Sequence, residues 1–206
     1  VQTGAARLLR PSKAWLHEAV WSPNGRSIFF FIKESPAQVS LKKLDTVTGQ
    51  ETELYRKTDG TPTLDVSPDG LWLAFYQHRH SLVVMPSAGG EAQEVLALDP
   101  NPSASYSDSF MRWTPDSAHL VYYDQGQLWK VNTETGQRQP LSPPIENLIG
   151  VSIHPDGRQI AYSVQDSGFA PWAMKGFLPA GKELVLAPGR RTSQNSPVSH
   201  RPQANN

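Results

Sequence analysis

One motif recurs four times along this chain, and it leaves few folds open. The copies read Trp21-Ser-Pro-Asn-Gly-Arg-Ser-Ile-Phe-Phe30, Val66-Ser-Pro-Asp-Gly-Leu-Trp-Leu-Ala-Phe75, Trp113-Thr-Pro-Asp-Ser-Ala-His-Leu-Val-Tyr122 and Ile153-His-Pro-Asp-Gly-Arg-Gln-Ile-Ala-Tyr162. Their centres, Pro23, Pro68, Pro115 and Pro155, follow one another in steps of about 40 to 47 residues, the spacing of a repeated four-stranded unit.

Each copy is the chemistry of a β-turn between two strands. Proline presets φ at the first central position of a type I turn. Asp or Asn follows, with a side chain able to bond nearby backbone, and glycine then takes a positive φ at no steric cost. The third copy carries Ser117 where the others have Gly25, Gly70 and Gly157. A left-handed serine there costs on the order of 1 kcal/mol, unless the turn differs.

After the turn comes a nearly continuous apolar strand, at Ser27–Ile32, Leu71–Tyr76, Leu120–Tyr123 and Ile160–Tyr162. A half-exposed strand alternates with period two, so continuous apolarity predicts burial on both faces. A third strand follows at Val39–Leu44, Leu82–Met85, Gln127–Val131 and Pro171–Met174. Glycine turns at Gly49, Gly89 and Gly136 lead into polar outer strands at Glu53–Tyr55, Gln93–Leu96 and Arg138–Leu141. The fourth unit has only a weak outer-strand candidate, Leu184–Leu186. Sheets stacked face to face around an axis meet these demands, which predicts an all-β propeller of about four four-stranded antiparallel blades. The tryptophans, Trp15, Trp21, Trp72, Trp113, Trp129 and Trp172, recur mostly at equivalent sites and are expected as core stackers.

The motif set resembles the WD-like propeller repeat of the TolB type, with its recurrent Ser-Pro-Asp-Gly turn, over residues 1 to about 179. The stretch Pro171-Trp-Ala-Met-Lys-Gly-Phe-Leu-Pro179 is similar to a Trp-Val-Met-Glu-Asn-Phe-Leu ending in bacterial relatives, departing from it at Ala173, Lys175 and Gly176. The Gly-His and Trp-Asp pairs of true WD repeats do not recur. The resemblance implies a protein-interaction or sensor propeller, usually periplasmic or extracytoplasmic and often with six blades or more. Some relatives sit behind a kinase or a winged-helix region, and neither is visible here.

Residues 1–186 are expected to carry the blades. Within them, 1–10 match the glycine turn and outer strand of a preceding or closing blade. Two readings fit: upstream blades are missing, which is the favoured one, or the amino-terminal strand clasps the last blade and four blades form the ring. The chain opens Val1-Gln2-Thr3-Gly4 without an initiator Met, which suggests a processed or truncated start. It shows no apolar leader and no run approaching the roughly 18 apolar residues of a bilayer span. Compartment is therefore left open. Residues 187–206 have almost no apolar content and are expected to be a disordered, mildly basic tail with Arg190, Arg191 and Arg201.

Lysines and arginines balance aspartates and glutamates at 19 each, so no global field draws the chain to nucleic acid or anionic membrane. With no cysteine there is no disulfide, thiolate zinc site or cysteine nucleophile. No Gly-x-Ser-x-Gly elbow, phosphate-binding loop or dinucleotide fingerprint occurs. His78-Arg79-His80 sets two imidazoles two residues apart in a hairpin connection, without the further ligands a metal needs. Asp99, Asn101 and Asp108 could approach a calcium ion, but EF-hand spacing is missing and a plain loop is expected. His17, His119 and His154 are expected to be structural. The expectation is thus a non-enzyme without metal or cofactor, holding a protein or peptide partner through rim loops that include His78, Arg79, His80, Asp99, Asn101, Tyr106 and Asp108. Open blade faces would also permit self-association. The alternatives are a gating-propeller fragment of a prolyl-oligopeptidase-like serine peptidase and the sensory propeller of a regulator.

Overall fold

A computed structural model describes residues 8, 15–35, 38–57, 63–77, 81–98, 110–165, 169–175 and 185–186. The first sheet contains β1 (Trp15–Trp21), β2 (Ser27–Ser35), β3 (Gln38–Asp45) and β4 (Glu51–Lys57). The second contains β5 (Leu64–Val66), β6 (Trp72–Gln77), β7 (Ser81–Pro86) and β8 (Gln93–Ala97). The third contains β9 (Met111–Trp113), β10 (His119–Asp124), β11 (Gln127–Asn132) and β12 (Arg138–Pro140). The fourth contains β13 (Leu148–Ile153), β14 (Gln159–Gln165), β15 (Phe169–Lys175) and β16 (Val185–Leu186). Each sheet is an antiparallel meander in chain order, and the first strands β1, β5, β9 and β13 stand beside one another in sequence. This is the blade architecture the repeat predicts. The weak outer strand of blade 4 is real, with Leu186 paired to Met174.

The four turns are built alike. In each, the residue before proline accepts an i to i+3 bond: Gly25 N–H to the Ser22 carbonyl, Gly70 to Ser67, Ser117 to Thr114 and Gly157 to His154, at 2.8–3.1 Å. The Asx side chain accepts the N–H two residues on, as Asn24 does from Arg26, Asp69 from Leu71, Asp116 from Ala118 and Asp156 from Arg158. The position after it is left-handed throughout, with φ of 70° at Gly25, 77° at Gly70, 56° at Ser117 and 70° at Gly157. Ser117 therefore takes the strained conformation, and its hydroxyl gains something in return. Its Oγ accepts the Asp69 N–H at 3.1 Å, tying the turn of blade 3 to that of blade 2.

Alternate residues of each second strand face opposite neighbours. Phe29 and Phe31 of blade 1 pack against Leu73, Phe75 and Met85 of blade 2. Ala74, Tyr76 and Val84 of blade 2 meet Leu120, Tyr122 and Trp113 of blade 3. Val121 and Leu128 of blade 3 meet Ile160, Tyr162 and Val151 of blade 4. Every blade thus has a front, turned to the preceding blade, and a back, turned to the next.

Burial on both faces holds in β2, β6 and β10, where the central residues are buried without interruption. It does not hold in β14. Ile160 and Tyr162 are buried while Ala161 between them is exposed, the period-two pattern of a strand covered on one side. Blade 4 presents Ser152 and Ala161 on its back, and both are exposed. The tryptophan expectation also needs correcting. Trp113 is core, but Trp15 is 73% exposed, Trp21 56% and Trp72 37%. Trp21 is the counterpart of Trp113 but has no described preceding blade to cover it as blade 2 covers Trp113, while Trp72 opens β6 at the turn end of its blade.

Candidate functional site

Strand direction alternates through each meander, so the proline-led turns share one rim with the glycine turns at Gly49, Gly89 and Gly136. The strand ends flanking residues 78–80 and 99–109 all lie at the opposite rim. His78, Arg79, His80, Asp99, Asn101, Tyr106 and Asp108 themselves lie outside the described residues, as do residues 187–206 and all of 1–10 except Leu8. The two rims differ in kind. On the turn rim, equal-length corners repeat one hydrogen-bond set. On the opposite rim, connections range from the two residues Gln125–Gly126 to the long stretch 98–110.

Near the axis, Asp65 on β5 fastens blade 2 to blade 3. Its Oδ2 accepts the Trp113 N–H at 2.8 Å, and its Oδ1 accepts the Val66 N–H at 3.1 Å. Burial pushes its carboxyl above the ordinary range, while those bonds and the Arg112 charge pull the other way. The Arg112 guanidinium lies over the Phe110 ring, 5.1 Å from its centroid, and donates to the Met111 carbonyl at 2.7 Å. Among the described residues, nothing hydrogen-bonds Trp113 Nε1 or Trp129 Nε1, both buried between blades 2 and 3. Arg138 covers the Trp129 ring with its guanidinium 4.9 Å from the centroid.

The back of blade 3, toward the turn rim, carries a polar cavity of about 260 Å³. His119, Lys130, Asn132, Thr135, Gln137 and Gln139 line it, with Arg138 at its border. The strand register explains the grouping. Lys130 stands between Val121 and Gln139, and Asn132 stands opposite His119, so these side chains share one face. His119 is held from behind, with Nδ1 at 2.9 Å from Asp116 Oδ2 and Nε2 at 3.5 Å from Asn132 Nδ2. Asn132 Oδ1 is committed to the glycine turn, accepting from the N–H groups of Glu134 and Thr135 and from the Thr135 hydroxyl. Lys130 is 8% exposed, and among the described residues nothing bonds its ammonium. Burial lowers its pKa, and the Asp116 charge opposes that shift.

His119 bonds Asp116 in its turn, and His154 bonds Asp156 at 2.8 Å in the equivalent turn. The His17 side chain lies outside the described residues. Lys130 escaped the sequence reading. The available signal was a lysine at the repeat position that Val84 fills in blade 2. Among the described residues no group of three or more His, Asp or Glu side chains is placed to hold a metal ion. None of their helices is long and apolar enough to cross a membrane.

Neighbouring four-stranded meanders, each cornered by a proline-led turn, define a β-propeller fold. Solved structures agree on that fold. TolB from Acinetobacter baumannii matches with a TM-score of 0.66 at 17% identity, over 86% of this chain and 44% of that one. A puromycin hydrolase matches with a TM-score of 0.65 at 14% identity, over 82% of this chain and 28% of that one. In sequence, the Escherichia coli (strain K12) protein YidR is 26% identical over 114 residues, 55% of this chain and 26% of YidR. The chain spans less than half of these relatives. No family model matches it.

Proposed function

We propose that the chain is a non-enzymatic interaction module of a TolB-type propeller, holding a protein or peptide partner on the rim opposite the proline-led turns. The observation that carries this reading is the difference between the two rims. Corners that repeat one bond set serve the scaffold, whereas connections of unequal length on a rigid scaffold are where recognition concentrates. Such a module works in the periplasm or another extracytoplasmic space, as the TolB likeness suggests. The test is cross-linking with mass spectrometry on the full chain in an extract of its source, repeated with residues 78–80 and 99–108 replaced by Gly-Ser. A partner captured by the native loops and lost on replacement supports the reading. Hydrolase activity in the purified chain, with no loop-dependent partner, defeats it.

A second reading is a gating propeller of a prolyl-oligopeptidase-like peptidase, favoured by the likeness to puromycin hydrolase, of which 28% is matched. A sensory propeller of a regulator is the third. The coding sequence on either side of this chain separates them, through a hydrolase domain downstream or an effector region upstream.

A further inference from the structure

We infer that the cavity on the back of blade 3 is a carboxylate-binding site built around Lys130, taking an Asp or Glu side chain or the C-terminal carboxylate of a peptide. The site stands apart from the interaction reading above, whose partner sits on the other rim. Three features argue for it. First, Lys130 lines the cavity with most of its stem buried, and among the described residues nothing bonds its ammonium, so an entering anion meets an uncommitted charge. The repeat leaves the place open, since Val84 fills it in blade 2 and Lys43 in blade 1. Second, the surrounding side chains are donors in fixed or adaptable positions. Asn132 has its carbonyl oxygen tied to the turn, which leaves its amide nitrogen on the His119 side of the cavity. Gln137 and Gln139 add two more side-chain amides on the same wall. Third, the charge selects a monoanion. Asp116 lies close enough to act on Lys130, so a doubly charged phosphate meets repulsion that a single carboxylate largely escapes. A cavity of about 260 Å³ admits a carboxyl group with a short methylene stem.

The test uses the full chain labelled with 13C at lysine Cε and 15N at side-chain amides, titrated by NMR with acetate and, separately, with N-acetyl-glutamate amide. Saturable shifts at Lys130 Cε and at the Gln137 and Gln139 amides are expected with both probes, absent in Lys130→Met and retained in Lys130→Arg. Chloride at matched ionic strength is expected to leave these signals in place. The wild-type titration stands alone if a variant fails to fold. An unmoved Lys130 signal overturns the site, and so do equal shifts with chloride or shifts that persist in Lys130→Met. Shifts with acetate but none with the glutamate derivative overturn the peptide source. Failure of the native loops to capture any partner in the cross-linking experiment, with the Lys130 response intact, refutes the interaction reading and leaves the site standing.

Discussion

At Ser117 two residue-scale effects oppose each other. A left-handed φ of 56° strains any side chain with a Cβ by about 1 kcal/mol, while its hydroxyl holds the Asp69 N–H of the neighbouring turn. Ser117→Ala keeps the strain and loses the bond, so it should lower unfolding stability by about 1 kcal/mol. Ser117→Gly loses both and should fall within about 0.5 kcal/mol of wild type; denaturant melts of the pair check this. The turn carboxylates set the response to acid. At Asp116 burial pushes the pKa up, but bonds from Thr114, Ala118 and His119 outweigh it and hold the pKa below the ordinary range. Asp156 and Asp45 are also lowered, through backbone N–H bonds from Arg158 and from Thr48 and Val47. The unfolded chain takes up their protons first, so the stability they confer is complete above the ordinary carboxylate pKa and disappears as pH falls through the lowered values. Asp65 runs the other way. Its raised pKa means that its contribution is full in acid and is lost as pH rises through that value. Asp65→Asn, which keeps an acceptor for Trp113 N–H, should therefore melt higher than wild type at pH 7, with the gap closing toward pH 4. Melting curves at several pH values show whether it does. The turn chemistry was legible in the sequence because Pro-Asp-Gly encodes backbone angles locally. The strain at Ser117 was legible too, but its bond to Asp69 was not, since that contact joins residues 48 apart.

Elements read well where their neighbours are other repeats, and badly where they are not. The strand Ile160-Ala-Tyr162 looks like its three counterparts, yet Ala161 is exposed and its equivalent Ala74 is fully buried between blades 2 and 3. Small residues carry no mark of which side they cover, so the sequence could not distinguish the two. Substitution does. Ala161→Asp should change stability by no more than about 0.5 kcal/mol, whereas Ala74→Asp puts an unpaired carboxylate in a sealed interface and should abolish cooperative unfolding. Phe75 is the stronger anchor. It meets Phe31 edge-on at 5.8 Å and Tyr55 at 5.1 Å, so Phe75→Ala should cost about 3–5 kcal/mol by the same measurement. The tryptophans failed as core markers for a related reason: a large apolar ring flanking a turn satisfies the repeat pattern without having a sheet opposite it. Lys130 was hidden by register. Only the two-residue hairpin Gln125–Gly126, with φ of 48° and 80°, fixes which face of β11 the lysine shares with His119.

Across the whole molecule the two end faces are unlike. The front of blade 1 carries Ile28 and Phe30 where blades 2, 3 and 4 carry Leu73 and Phe75, Leu120 and Tyr122, and Ile160 and Tyr162, and those three pairs all pack on a preceding blade. Beside them on β1, register puts Leu16 across from Ile32 and Trp21 across from Ile28, with Leu16 47% and Trp21 56% exposed. The centre of this front is already covered, with Phe30 and Ile32 each 2% exposed and Leu44 5%, so only its Leu16 and Trp21 ends lie open. The chain should therefore self-associate only through the open Leu16 and Trp21 ends, giving concentration-dependent growth in sedimentation velocity at high concentration. A Leu16→Glu, Trp21→Glu double variant should sediment as a monomer, while Ser152→Glu on blade 4 should leave association unchanged. The converse pattern, with Ser152→Glu dissociating the assembly and the double variant not, would assign contact to the back of blade 4. A wild-type chain that stays monomeric at every concentration would mean that blade 1's front needs no second blade.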